Sequence, residues 1–211
     1  MLERRQLLAV AAGVMLSPSS AISQQAQSAH PNHQAPIADL AAARLNELGP
    51  ENGAMARGVG LWDVTDTVWE NSGAAPEVST GLVAERRMIG SMLQETLRYA
   101  SDSLKTILRT DYLTFNRVER RWQYVSMETR APVGIMTAQS YGRDRDDHIL
   151  ITFQPFAIAG PEQNVSGQML RMRQEITSQG PDRQVKDQYF TLADGASDEW
   201  LAHRYAYTRQ A

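Results

Sequence analysis

Residues 59–68 read Val-Gly-Leu-Trp-Asp-Val-Thr-Asp-Thr-Val, and their alternation decides the fold class. Trp62, Val64 and Val68 fall on one face, and Asp63, Thr65 and Thr67 on the other. A period of two is the signature of a strand with one buried side. The pattern recurs downstream. Leu82, Ala84 and Met88 oppose Val83, Glu85 and Ile89; Leu93, Leu97 and Tyr99 share a face; Trp122 and Tyr124 oppose Val125 and Met127. Ile149, Ile151 and Phe153 form another apolar face, Tyr189 and Thr191 oppose Phe190 and Leu192, and Leu201, Tyr205 and Tyr207 line up near the end. Turn-forming clusters separate these runs, among them Asn71-Ser72-Gly73, Ser101-Asp102-Ser103, Gly180-Pro181-Asp182 and Asp194-Gly195. The chain over 59–209 is therefore expected to form about eight to ten antiparallel strands, an all-β domain. No helical period interrupts them, which argues against a parallel α/β sheet. A closed barrel and a two-layer sandwich both fit the alternation, so periodicity alone leaves both open.

Upstream, the pattern changes. Residues 37–48 carry Ile37, Leu40, Ala41, Leu45 and Leu48 at helical spacing, and Gly49-Pro50 supplies a stop. That helix is expected outside the barrel or over one end, with residues 50–58 as a loop. Residues 24–36 are polar and low in complexity, a flexible linker. Residues 1–23 have the three parts of a signal peptide: Arg4-Arg5, the apolar run Leu7 to Leu16, and the small-x-small site Ala21-Ile22-Ser23. The apolar run is too short for a bilayer core that needs about twenty residues. Cleavage near Ser23 would start the mature chain near Gln24, in the periplasm or outside the cell, with no transmembrane helix. Arg4-Arg5-Gln6-Leu7-Leu8 resembles a twin-arginine signal, and the general secretory route serves equally.

Composition narrows the function. The 211 residues include no cysteine, which excludes disulfides, thiolate metal sites, a cysteine nucleophile and a lipoprotein anchor. The formal net charge of −3 is a poor match for nucleic acid, whose phosphates call for concentrated Lys and Arg.

Gly60-x-Trp62 after a helix and loop resembles the start of a lipocalin or calycin barrel, in which an arginine of the last strand packs across the tryptophan. Arg204 and Arg209 lie in that position, and Arg209 is the expected partner. A wider pattern carries the resemblance further. Gly60-x-Trp62-x-Val64, Trp69, Gly73-Ala74-x-Pro76, Glu85-x-x-Met88-Ile89-Gly90, Leu93-x-Glu95, Asp111-Tyr112, Trp122 to Met127, Thr129 to Met136 and Tyr207-Thr208-Arg209 together resemble the bacterial family called domain of unknown function 1579. The likeness covers residues 58–211. It implies a calycin-like barrel and brings no reaction with it. Where that family carries Gly-Tyr-Asp-Asn, this chain has Thr110-Asp111-Tyr112-Leu113.

Candidate sites are few. His30 and His33 lie in the linker, where no tetrahedral ligand set is held, and no metal site is expected. His148 follows the charged turn Arg143 to Asp147. Calycin relatives called nitrobindins bind haem through a late-strand histidine, a likeness that points to His203. Those proteins follow Gly-x-Trp with a Gly-rich loop; here Asp63-Val64-Thr65-Asp66 stands instead, so a structural histidine and no cofactor are expected. Glu85, Glu95, Glu128 and Glu175 sit in separate strands, and two facing inward could form an acid–base pair. Ser126, Ser140 and Ser166 lack a nucleophile-elbow context. Met88, Met92, Met127, Met136, Met169 and Met172 suit an adaptable apolar pocket, with Met88, Met127 and Met172 the leading cavity candidates. Gly60, Trp62 and Arg209 are the structural candidates. These features favour an exported, non-catalytic binder of a small apolar ligand. An enzyme using cavity carboxylates for isomerisation or hydrolysis, and a structural envelope protein, are the alternatives.

Overall fold

The computed structural model of the chain describes residues 43–45, 47–131, 133–142, 147–158 and 168–211. Its elements are a helix α1 (Pro50–Ala56) and strands β1 (Gly60–Val68), β2 (Glu77–Ile89), β3 (Met92–Tyr99), β4 (Arg109–Asn116), β5 (Arg121–Glu128), β6 (Ile135–Gln139), β7 (His148–Phe153), β8 (Phe156–Ile158), β9 (Gln168–Ser178), β10 (Arg183–Leu192) and β11 (Trp200–Arg209). The expected signal peptide and linker lie outside the described residues.

The sheet closes on itself. β1 to β7 pair in sequence, β7 pairs with β9, β9 with β10, β10 with β11, and β11 returns to β1, every pair antiparallel. Ten strands make the ring. β8 continues the line of β7 along the same edge of β9, with Phe156 opposite Leu170 where Thr152 is opposite Arg173. Pro155 falls in the gap between them, and proline has no N–H to give to a ladder. The domain is thus an all-β antiparallel barrel, and the open-sandwich alternative is set aside. Closure removes the long exposed edges that an open sheet would present.

Alternation decides what lies inside. Buried side chains come from every second residue, such as Trp62 and Val64 on β1, Leu82 and Ala84 on β2, and Trp122 and Tyr124 on β5. They gather in two groups, one around Trp62, Leu82, Leu97, Tyr205 and Tyr207, the other around Leu113, Trp122, Ile151, Phe153 and Met172. β2 is long enough to bend. Its register against β1 slips between Val64 and Asp66, and Gly81 there has φ +76°, a conformation glycine adopts without Cβ strain.

The helical region differs from the sequence expectation. Residues 43–45 are helical, but residues 47–49 are not, and Leu45 and Leu48 are 46% and 66% exposed. The remainder of the expected helix 37–48 falls outside the described residues. The helix at the barrel is instead Pro50–Ala56, read from sequence as loop. Pro50 and Gly53 obscured its period, and seven residues are too few to be stable alone. Tertiary contacts form it: Met55 is buried in the second apolar group, and Asn52 Nδ2 donates to the Ser91 carbonyl (3.0 Å) in the β2–β3 turn. The helix therefore sits at the end of the barrel where β1 begins.

Candidate functional site

Five charged side chains point into the barrel between the two apolar groups: Arg86 on β2, Glu95 on β3, Arg109 and Asp111 on β4, and Lys186 on β10. Register brings them together, since Arg86 is opposite Glu95 and Glu95 is opposite Asp111. Glu95 accepts from Arg86 Nε (2.7 Å), Lys186 Nζ (3.0 Å), Tyr207 Oη (2.9 Å) and Arg109 Nη2 (3.3 Å). Asp111 accepts from Lys186 Nζ (3.0 Å) and Ser126 Oγ (2.7 Å), and Arg109 Nε lies 3.0 Å from its Oδ2. Lys186 also donates to Tyr124 Oη (3.1 Å). Aromatic faces complete the enclosure: Arg109 lies 4.3 Å from the Tyr205 ring centre, and Arg86 lies 4.3 Å from Tyr207 and 4.8 Å from Trp62.

The electrostatics lock every charge in place. Burial works to raise the Glu95 carboxyl, but Lys186, Arg86 and Arg109 together override it and hold it well below the usual carboxylate range. Burial opposes the Lys186 charge, yet Asp111 and Glu95 hold the ammonium well above its ordinary value. Burial, helped by Glu95, pushes the Tyr207 hydroxyl up to about 12. At neutral pH Glu95 is therefore ionised, Lys186, Arg86 and Arg109 are charged, and the Tyr207 phenol is neutral. A buried network of this kind is tolerable because nearly every polar atom has a partner.

A chamber of about 70 Å³ opens against this cluster. Arg86, Glu95, Asp111, Tyr124 and Lys186 form its polar floor, and Met55, Leu93, Leu113, Trp122, Ile149 and Ile176 form its apolar wall. A wider groove of about 730 Å³ lies at the same barrel end, shares Ala54, Gly58, Arg86, Ser178 and Gln184 with the chamber, and adds Arg57, Arg183 and Arg209. Aromatic side chains gather at the other end. Phe190 packs edge-on against Phe156 and Trp200 (6.1 and 5.9 Å), and the Trp200 indole donates to the Trp69 carbonyl.

Trp62 forms part of the rim. Its Nε1 donates to the Gly58 carbonyl (2.9 Å), and Arg209, paired with it across β1 and β11, lies 4.3 Å from its ring. Arg209 also donates to the carbonyls of Val59, Arg57 and Pro181, tying the α1–β1 connection to the β9–β10 turn. Gly60 has φ +133°, and a Cβ there would stand 3.0 Å from Arg209 Nη1. Arg204 points the opposite way and forms a bidentate pair with Asp187.

The other sequence candidates separate. Met172 is buried in apolar core and Met88 packs against that core, and neither lines the chamber. Met127 is corrected: it shares the outer face of β5 with Val125, because the inward positions are Trp122, Tyr124 and Ser126. Met92 and Met169 are exposed, and Met136 packs on the core. Of the four glutamates, Glu85 is exposed on β2, Glu175 pairs with Arg173 on the outside, and Glu128 pairs with Arg130. Glu95 alone enters the central cluster, and its carboxylate neighbour is Asp111. Ser126 donates to Asp111, Ser140 Oγ accepts from the Trp122 N–H, and Ser166 lies outside the described residues. His148 opens β7 beside Glu175 (3.6 Å). His203 stacks on Tyr205 and lies 3.3 Å from Asp66 Oδ1. His30 and His33 lie outside the described residues, and among the described residues no group of three or more His, Asp or Glu is placed to hold a metal.

Sequence reasoning missed Arg86, Arg109, Asp111 and Lys186. The signal was present for Arg86, which shares the parity of Leu82, Ala84 and Met88 on β2. A charge on an otherwise apolar strand face either breaks the strand or has partners inside. Which partners it meets depends on strand register.

Fold and site together define a class: an antiparallel barrel with an ionic cluster at mid-height and a small chamber opening at one end. No family model and no curated protein matches the chain. Among solved structures it is similar to Rv2717c from M. tuberculosis, at 14% identity and a TM-score of 0.46, over 78% of this chain and 100% of that one. The barrel described above rests on this chain's own strand register.

Proposed function

We propose that this is an exported, non-catalytic binding protein that holds a small molecule in the barrel chamber, a member of the domain of unknown function 1579 family that its sequence resembles. The observation that carries the reading is the chamber itself, reached through the groove beside Trp62 and Arg209, with aromatic packing at the opposite barrel end. Ligand sites have this character, a mostly apolar wall with a few fixed polar groups. An enzyme would need a group free to take or give a proton near neutrality. Glu95 has four donors around it and every Lys186 proton is taken, so neither is poised for that role.

Export is supported by the N-terminal pattern of residues 1–23, and the absence of cysteine means that packing and ion pairing stabilise the barrel outside the cytoplasm. Native mass spectrometry of the protein isolated from the periplasm of a producing cell tests both halves. The expected result is a chain starting near Gln24 with a small molecule retained. A protein carrying Met1 would overturn export, and a bare chain from every preparation would overturn binding.

A further inference from the structure

The central cluster does not balance its charge. Arg86, Arg109 and Lys186 bring three cations, and Glu95 and Asp111 bring two carboxylates; Arg109 and Lys186 touch both acids, and Arg86 touches Glu95. Two further acids stand outside these contacts: Asp66 on β1 lies 3.3 Å from His203, and Glu128 is paired with Arg130 (2.8 Å). Within the contacts themselves, cations outnumber carboxylates by one, beside the chamber. Three buried cations sharing two carboxylates are incompletely neutralised, and an anion entering the chamber would relieve that cost.

We propose that the chamber takes a monoanion, a small molecule with an apolar body and one carboxylate-type head that docks on Arg86. This rests on the binding reading and adds the ligand's charge class. The three cations differ in what they can still offer. Lys186 spends its three protons on Glu95, Asp111 and Tyr124. Arg109 is spread over Glu95, Asp111 and Tyr207 and lines neither the chamber nor the groove. Arg86 lines both, and of the five N–H donors of a guanidinium its Nε goes to Glu95. A guanidinium fork held by Trp62 and Tyr207 is suited to grip two carboxylate oxygens at once. The body of the ligand would lie against Leu93, Leu113, Trp122, Ile149 and Ile176.

The approach has the same sign. Among the described residues the groove is lined by Arg57, Arg86, Arg183 and Arg209, with Asp147 as the one acid. Such a rim draws anions and repels amines over about a Debye length. A single negative charge brings the cluster to neutrality; a dianion would overshoot it, and an amine would add to the excess.

Calorimetry on the mature chain with hexanoate, 1-hexanol and hexylamine tests this, since all three have six carbons and differ at the terminal one. Hexanoate is expected to bind about tenfold or more tightly than hexanol, the gain of a charged over a neutral hydrogen bond. Hexylamine is expected to show no heat of binding. Arg86→Gln should abolish the preference for hexanoate; if that variant does not fold, the wild-type series still decides. Hexanol binding as tightly as hexanoate would overturn the monoanion and leave the binding reading standing. A preference that survives in Arg86→Gln would overturn the docking assignment. Silence from all three would remove the binding reading itself.

Discussion

Trp62 combines three stabilising devices in one side chain: burial, an N–H donated to Gly58, and contact with two guanidinium groups, those of Arg86 and Arg209. Trp62→Ala is expected to cost about 3–5 kcal/mol in urea unfolding, the range for a large buried aromatic. Arg209→Ala should cost about 1–2 kcal/mol through lost stacking and packing. Because the two side chains touch, the double mutant should lose less than the two single losses combined. Strict additivity would mean that the contact contributes nothing. Glu95 is the other decisive residue. Glu95→Gln removes the acceptor shared by three buried cations, and about 3–5 kcal/mol is expected at pH 7. The folded carboxyl lies below its unfolded value of about 4.3, so its contribution is present above that value and disappears as pH falls through the folded one. The gap between wild type and Glu95→Gln should therefore hold constant from pH 5 to 8, by this linkage, and close only well below about 4. A gap that already closes between pH 8 and 6 would contradict the ionised, triply paired carboxylate.

At the scale of elements, α1 matters beyond its seven residues. It brings Met55 into the core and Ala54 and Gly58 to the rim of the chamber. Its position depends on Asn52, whose Oδ1 accepts from the Gly49 N–H and whose Nδ2 reaches the Ser91 carbonyl, both at 3.0 Å. Asn52→Ala should lower stability by about 1–3 kcal/mol, the usual cost of leaving a buried polar partner unpaired. It should also speed hydrogen exchange at Met55 and in the β2–β3 turn before it affects β4 and β5. Equal acceleration everywhere would show that α1 is not a separate opening unit. The strands were easier to read than this helix. Their period of two persists over many residues, whereas α1 is short, carries Pro50 and Gly53, and forms only where the barrel receives Met55.

The whole molecule is held together by contacts distant in sequence. β1 closes on β11, joining Trp62 to Arg209, and Lys186 reaches back to Glu95. Closure at this separation is slow to form and entropically costly, but it leaves the barrel without free long edges. The outer surface carries Asp63, Arg87, Arg171, Arg173 and Arg204 on strands whose inner faces are apolar or part of the cluster. No described helix is long and apolar enough to cross a membrane.

The sequence by itself determined the all-β class, the strand faces and the turns. Each of these is local, or follows from side-chain alternation that a strand imposes on any chain. It did not separate barrel from sandwich, because both bury every second residue. It did not single out Arg86, Arg109, Asp111 or Lys186 as site residues, and it placed Met127 in a cavity that its own parity excludes. Only the tertiary structure decided these points. Ring closure sets the register between strands, and register sets which inward charges meet. Five charges spread over residues 86 to 186 become one cluster only after β2, β3 and β4 have paired and ring closure has brought β10 to face them across the interior.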